Sequence, residues 1–287
     1  MDVGIGLPNA LAGARGRELV EWARAAEQRG FSLLGTIGRI VFDTHEELIA
    51  LAAAAAVTER IGLLSTIMIA PPRQPALLAK QAATLDHISE GRFRLGMGIG
   101  WRPDDYTVMG ASFEDRGADL DRLIDRLQAT WDGKAIEGAD APVGPEPYTQ
   151  GGPPIVLGGA APRALERAGQ RADAWLSTPA DPDEIAAGYA KVREAAERDG
   201  RPVPRLLASA YFALGDVADE VRSNVTAYYR FAGPDLVEMV HNGVLRTPDA
   251  ITQTLSALED IGVDEVCLWP QARGLDQLNA LADTLDL

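Results

Sequence analysis

The sequence predicts an α/β protein, a single (β/α)8 TIM barrel with an irregular excursion between its halves. Three observations predict it. Short apolar or β-branched runs, each closed by Gly, Pro or Thr, alternate with longer segments whose apolar residues recur at three and four positions. Eight such units fit within 287 residues, and no compositional break splits the chain in two. Helical crossovers of the usual right hand make successive strands parallel. A doubly wound open sheet is the competing architecture; eight units favour closure, so residues 1–287 are read as one barrel domain.

The elements follow in order. A strand at 3–7 precedes a helix at 17–29 that stops on glycine in "EQRGF". A strand at 33–37 leads to a helix at 45–58, which contains the alanine tract 52–56. The third strand, 62–69, passes to a helix at 75–87, and the fourth, 92–98, to a helix at 116–131. Residues 132–154, rich in Gly and Pro, form the excursion. Strand 155–157 and helix 162–171 follow, then strand 174–177 and helix 182–198, the latter opened by "ADPDEI". Strand 205–213 runs to a helix at 217–231 that continues to 241. A helix at 248–261, with Thr247 as N-cap and Pro248 in the first turn, precedes the last strand, 265–269, and a final helix ending near Leu287.

Composition narrows the partners. With 46% hydrophobic residues the chain can bury a sizeable core, and a formal charge of −15 repels both nucleic acid and anionic membranes. A small molecule is therefore the expected ligand. The lone cysteine, Cys267, sits in the apolar run "EVCLW", so there is no internal disulfide and the cytoplasm is the expected compartment. No stretch approaches the roughly 18 apolar residues that span a bilayer. His45, His87 and His241 are too scattered for a metal motif, and no metal is expected.

Three stretches carry the chemistry. In "RFRLGMGIGW" a strand places Gly96, Gly98 and Gly100 at alternate positions before Trp101, which removes side chains where something approaches the backbone closely. A flat ring or a phosphate ester fits that description, and so does relief of crowding in the barrel interior. In "PPIVLGGAAPRALERAG" the small residues Gly158, Gly159, Ala160 and Ala161 precede a helix opened by Pro162; free amides and the positive end of the helix dipole suit a phosphate, although a tight turn needs small residues too. In "LLSTIMIAPP" Ser65, Thr66 and Ile67 lie within an apolar strand, so the hydroxyls either find backbone partners or face a ligand.

Together, "QPALLAKQAATLDHISEGRFRLGMGIGW", "GASFEDRGADLDRLIDRLQATW", "PPIVLGGAAPRALERAGQRADAWL" and "TPDAITQTLSALEDIGVDEVCLW" resemble the bacterial luciferase-like family of barrels, whose members use FMN or the deazaflavin coenzyme F-420. The resemblance implies a ring across the barrel mouth beside Ser65 and Thr66. There the family has a bulge that often contains a non-prolyl cis bond, which falls by position at Thr66 to Ile67. It further implies that Gly98, Gly100 and Trp101 border the ring and ribityl chain, and that Gly158, Gly159, Ala160 and Ala161 hold the phosphate. The compact length resembles the deazaflavin-dependent members, and relatives commonly form homodimers.

One departure matters. Many relatives carry an Asp-His pair after the second strand, where this chain has Gly38 and Arg39. Arg39 is no base at neutral pH; it either orients an anionic substrate or charge, or is a plain surface arginine. His241 either reaches the mouth or ends a helix, and Asn9 either contacts substrate or serves a turn. Asp104 and Asp105 read as a solvated helix start. Hydride transfer between coenzyme F-420 and a small organic substrate is the favoured function. An FMN-dependent monooxygenase fed by a separate reductase is the second reading, and a non-catalytic flavin-binding barrel is the third.

Overall fold

A computed structural model of the chain describes residues 1–134, 140–179 and 181–287. The strands are β1 (Asp2–Gly6), β2 (Leu33–Thr36), β3 (Gly62–Ser65), β4 (Met68–Ile69), β5 (Phe93–Gly98), β6 (Ile155–Gly158), β7 (Ala174–Leu176), β8 (Arg205–Phe212) and β9 (Glu265–Pro270). They run β3-β2-β1-β9-β8-β7-β6-β5-β4 with every pairing parallel, and a β3–β5 pairing closes the ring. Because β3 and β4 are two pieces of one stave, the result is a closed eight-stranded parallel barrel.

The predicted strand 62–69 is thus interrupted, and the register gives the reason. Leu64 pairs with Arg94 and Met68 with Met97, so four steps on one strand oppose three on the other. The extra residue is a bulge at the barrel rim.

Around the barrel lie α1 (Gly16–Arg29), α2 (Glu47–Ala55), α3 (Pro75–Ile88), α4 (Pro103–Met109), α5 (Arg116–Trp131), α6 (Pro162–Arg171), α7 (Pro182–Arg198), α8 (Ala218–Tyr229), α9 (Pro234–Asn242), α10 (Pro248–Asp260) and α11 (Leu275–Thr284). Their sequences explain them. In α1 the buried Leu19, Trp22, Ala23 and Ala26 recur at helical spacing, and Gly30 stops the helix in the left-handed region at φ 93°. Thr247 caps α10 by accepting from the Ala250 amide, and Asp181 caps α7 by accepting from Asp183. The helix start read at Asp104 and Asp105 opens the short α4, and the long helix expected over 217–241 breaks at a 3-10 turn, Arg230–Ala232. The described part of the excursion, 140–154, contains no helix or strand; Asp86 anchors it by accepting from the Thr149 amide at 2.7 Å and hydroxyl at 3.0 Å. Residues 135–139 lie outside the described residues.

The barrel interior is filled by Leu33, Leu64, Val156, Leu207, Cys267 and Trp269, with the Trp269 ring lying where a β-carbon on Gly6 would come within 2.1 Å. At its N-terminal end Arg94 pairs with Glu265 at 2.7 Å, and Glu265 also accepts from Ser32. Outside that floor, Arg92 donates to the carbonyls of Ala55, Thr58, Ile61 and Ser89. No helix among the described residues is long and apolar enough to cross a membrane.

Candidate active site

The C-terminal strand ends form the mouth, and its floor is the bulge. The Thr66–Ile67 peptide is cis. Ser65, fully buried, donates its hydroxyl proton to Gly96 O at 3.0 Å and accepts from Gly96 N at 2.9 Å. The Thr66 amide donates to Thr36 O at 2.8 Å, and its hydroxyl to the same oxygen at 3.3 Å. Both hydroxyls thus find backbone partners, and Ile67 is the bulge side chain that reaches the mouth, half-buried.

This geometry revises the physical reading of the glycine stripe. A β-carbon on Gly96 would lie 1.8 Å from Ser65 O, and one on Gly98 2.7 Å from Ile67 Cγ2. What approaches the β5 backbone is the neighbouring bulge rather than a ligand. The glycines let the bulge sit inward, and the bulge in turn presents Ile67, which also contacts Gly158 on the far side, where a β-carbon would lie 3.0 Å away. Gly100 adopts φ 61°, turning the chain so that Trp101 is 55% exposed and lies edge-on to Phe231 at 4.8 Å.

Past Ile67, β6 ends on Gly158 and Gly159. Gly159 has φ 121°, which suits glycine alone, and its carbonyl accepts from Trp175 Nε1 at 3.0 Å. Ala160 and Ala161 are exposed, and Ala161 begins α6 with no side chain capping the first turn. The first turn of α6 thus presents amides that no side chain caps, at the positive end of the helix dipole. On the adjacent stave Ser177 is buried, with its hydroxyl unpartnered among the described residues.

The opposite half of the mouth is roofed by α8. A cavity there has apolar walls from Leu7, Leu11, Ile37 and Trp269, and polar atoms from Tyr211, Tyr229, Asn224 and Gln271. Tyr211 and Tyr229 bring their hydroxyls to 2.5 Å. Burial raises the pKa of both, and of neighbouring Tyr228, above the ordinary phenol value, so all three hold their protons at neutral pH.

Arg39 stands behind these tyrosines and is no surface residue: its side chain is 4% exposed. Its Nε donates to Asp105 at 3.1 Å, and its guanidinium lies 5.3 Å from the Tyr228 ring centre and 5.9 Å from that of Phe231. Asp105 is fully buried, not solvated, and also accepts from the amides of Ile40 and Val41. Arg39 therefore has a resident counter-ion, and Nη1 has no partner among the described residues. Arg102 stacks on Phe231 at 4.1 Å, so the turn after α8 is clasped by two arginines from other loops.

The remaining candidates lie elsewhere or are occupied. Asn9 is buried and brackets Ile37, donating to its carbonyl at 2.8 Å and accepting from its amide at 3.1 Å, which ties the first two mouth loops together. His241 is bonded to Arg246 and Arg222 at the end of α9, rather than to a residue of the cavity. The described residues contain no group of three or more His, Cys, Asp or Glu placed to hold a metal ion. The tyrosine pair escaped the sequence reading, and Asp105, read as solvated, is instead buried as the counter-ion of Arg39. The only signal for the pair was the density of aromatics in "TAYYRF" beside "SAYF".

Comparison with known proteins agrees with this architecture. A family model described as luciferase-like monooxygenase matches residues 1–265. An uncharacterized protein of Mycobacterium tuberculosis is 35% identical over 167 residues, which takes in 55% of this chain and 57% of the relative. The chain thus matches little more than half the length of that relative. Among solved structures, the monooxygenase RslO1 from Streptomyces bottropensis superposes with a TM-score of 0.82 at 21% identity, covering 99% of this chain and 98% of that one. An F420-dependent secondary alcohol dehydrogenase, solved with an F420-acetone adduct, gives 0.78 at 16% identity over 99% and 97%. The oxygenating constituent of 3,6-diketocamphane monooxygenase from Pseudomonas putida, solved with FMN, gives 0.76 at 19% identity over 100% and 96%.

Proposed function

The chain belongs to the luciferase-like monooxygenase family, and from that premise we propose that it is an oxidoreductase transferring a hydride between coenzyme F-420 and a small organic substrate. The observation that carries the reading is the Ile67 platform, set between Gly98 and Gly158 at the centre of the mouth. On one side of it lie the uncapped amides at the start of α6, on the other a small cavity of about 20 Å³ with mixed apolar and polar walls.

The residues fit a phosphorylated ring cofactor. Ile67 offers an apolar surface for a flat ring, Gly100 and Trp101 border its edge, and Gly158, Gly159, Ala160 and Ala161 cradle the phosphate against α6. The orphan hydroxyl of Ser177 supplies a buried polar atom beside that cradle. When bound, the cofactor would supply the hydride chemistry, which explains a mouth without a triad or a carboxylate pair. The protein's own part is to hold the ring against Ile67, to exclude water by roofing the cavity with α8, and to keep the phenols protonated at the substrate.

The FMN reading draws on RslO1 and the camphane enzyme, both monooxygenases that superpose over nearly the whole chain. On that reading a separate reductase supplies reduced FMN. Titration separates the two: quenching of F-420 fluorescence, together with ketone-dependent oxidation of reduced F-420 and no oxygen uptake, supports hydride transfer. Tight FMN binding with substrate-dependent oxygen consumption would overturn it.

A further inference from the structure

We propose that the groove between α5 and α6 binds the chain of γ-linked glutamates that coenzyme F-420 carries beyond its phosphate, and so favours F-420 over FMN, whose phosphate ends the molecule. The proposal rests on the hydride-transfer reading above and concerns a surface outside the barrel mouth. Arg163, Arg167 and Arg171 recur at four-residue steps along α6, so their side chains share one face and mark out about 12 Å of it. Asp121 of α5, with Glu166 and Gln170, completes the lining of an open groove of about 230 Å³.

The partners already taken decide what the groove can hold. Asp121 accepts from Arg167 Nε at 2.5 Å and from Nη2 at 3.1 Å, and Glu166 accepts from Arg198 of α7 at 2.9 Å. Both carboxylates of the lining are thus engaged. Arg171 bonds only through Nη2, to Asp125 and Gln128, and Arg163 has no ion pair among the described residues. The groove is left with guanidinium donors at both ends and no charged acceptor to spare. A guanidinium offers five N–H groups and accepts nothing, so its complement is an anion rich in acceptors. Two such anions are needed, about two helical turns apart. A row of carboxylates on one flexible chain meets that requirement, whereas the formal charge of −15 on the whole chain repels a large polyanion such as nucleic acid.

The groove begins where the phosphate cradle ends. Arg163 lies in the first turn of α6, two residues past Ala161, and Arg171 closes the same helix. A tail attached to a phosphate at Gly158, Gly159, Ala160 and Ala161 can follow the groove past Arg163 to Arg171. FMN fills the cradle but presents nothing to Arg171. Each exposed ion pair contributes little by itself, so the preference comes from the number of carboxylates engaged together.

The test uses the full-length protein, the variants Arg163→Gln, Arg171→Gln and their combination, and fluorescence titration with three probes. These are F-420 with a long γ-glutamate tail, the same coenzyme trimmed of its glutamates, and FMN. Wild type is expected to bind the long-tailed form on the order of tenfold tighter than the trimmed one, and high salt to remove most of that advantage. The double variant is expected to bind both forms alike, while Arg171→Gln leaves the affinities for the trimmed form and for FMN at the wild-type value. Equal affinities in wild type, an advantage that survives the double substitution, or one that high salt leaves intact overturns the proposal while the hydride-transfer reading stands. A matching loss of FMN affinity in Arg171→Gln overturns it too, because Arg171 would then serve the phosphate. If wild type binds no form of F-420, the hydride-transfer reading falls, and a fluorescein-labelled γ-oligoglutamate decides the groove by itself. A rise in its anisotropy with wild type that the double variant lacks sustains the groove, and no rise overturns it. Arg163 is exposed and Arg171 partly so, and Arg163→Gln alone carries the test if Arg171→Gln does not fold.

Discussion

At the N-terminal end of the barrel Glu265 is held by Arg94 and Ser32, and Arg92 gathers four backbone carbonyls outside it. At the C-terminal end Thr36 Oγ1, Arg39 Nη1 and Ser177 Oγ are buried without partners among the described residues, and the tyrosine pair holds a surplus proton. The same staves run through both ends. At the floor the one oxygen without a hydrogen bond, Glu265 Oε2, is still ion-paired with Arg94, whereas the hydroxyls of Thr36 and Ser177 at the mouth have no partner of either kind among the described residues. In a barrel of this kind, stability is expected to concentrate below and function above.

The most severe way to break this division is to attack the part of the mouth that is packed like a floor. In Gly96→Val the new side chain meets Ser65 O, a backbone atom that cannot rotate away. The bulge would have to leave its place, at a cost on the order of 3 kcal/mol or more. Urea denaturation is expected to show that loss, with cofactor binding abolished under native conditions; retention of both would mean that the bulge is not pinned by β5. Next in size comes Glu265→Gln at the true floor. It leaves Arg94 largely buried and uncompensated, at a cost of about 3 kcal/mol, the lower end for such pairs because Arg94 keeps some contact with water. Turnover below the melting range is expected to be unchanged, which separates the floor from the mouth.

How much of this was legible in the sequence follows the same division. Strands and helices announce themselves by periodicity, and all eight staves were readable because each buries a face that repeats along the chain. The glycine stripe in β5 was readable as a demand for close approach, but the approaching partner is 31 residues away from Gly96, at Ser65, and the sequence does not carry register. Arg39 and Asp105 are 66 residues apart, and only the closed barrel makes one the counter-ion of the other. Tyr211 and Tyr229 meet because α8 folds back over its own strand, a path set by the loop at the end of β8 rather than by any local pattern.

Gly98→Ala sharpens the comparison at smaller scale. The added methyl meets Ile67 Cγ2, the branch methyl of a side chain that can yield only by changing its χ1 rotamer or shifting with the bulge. Ile67 would swing into the mouth, costing about 1 kcal/mol in stability. Cofactor affinity is expected to fall on the order of tenfold, equivalent to about 1.4 kcal/mol. Fluorescence titration of F-420 or FMN checks it, and unchanged affinity would remove Ile67 from the platform.

One hydroxyl removed from each end distinguishes the two by sign, the smallest change being at Ser177. Thr58 Oγ1 at the floor donates to Ala54 O at 2.8 Å and accepts from Arg92 at 3.1 Å. Thr58→Val leaves the arginine short of a buried partner and is expected to cost about 1–2 kcal/mol. Ser177 Oγ has no such partner, so Ser177→Ala removes a group whose desolvation is uncompensated, and stability should stay within about 0.5 kcal/mol of wild type or rise. If that hydroxyl waits for the cofactor, the same variant binds it more weakly, by about 1 kcal/mol for one lost hydrogen bond. Thermal denaturation with and without cofactor reads both quantities: in Ser177→Ala the cofactor-free melting temperature holds while the ligand-induced rise shrinks. A variant that lowers the first and keeps the second would make Ser177 a floor residue in the wrong place, and the mouth would lose one of its waiting donors.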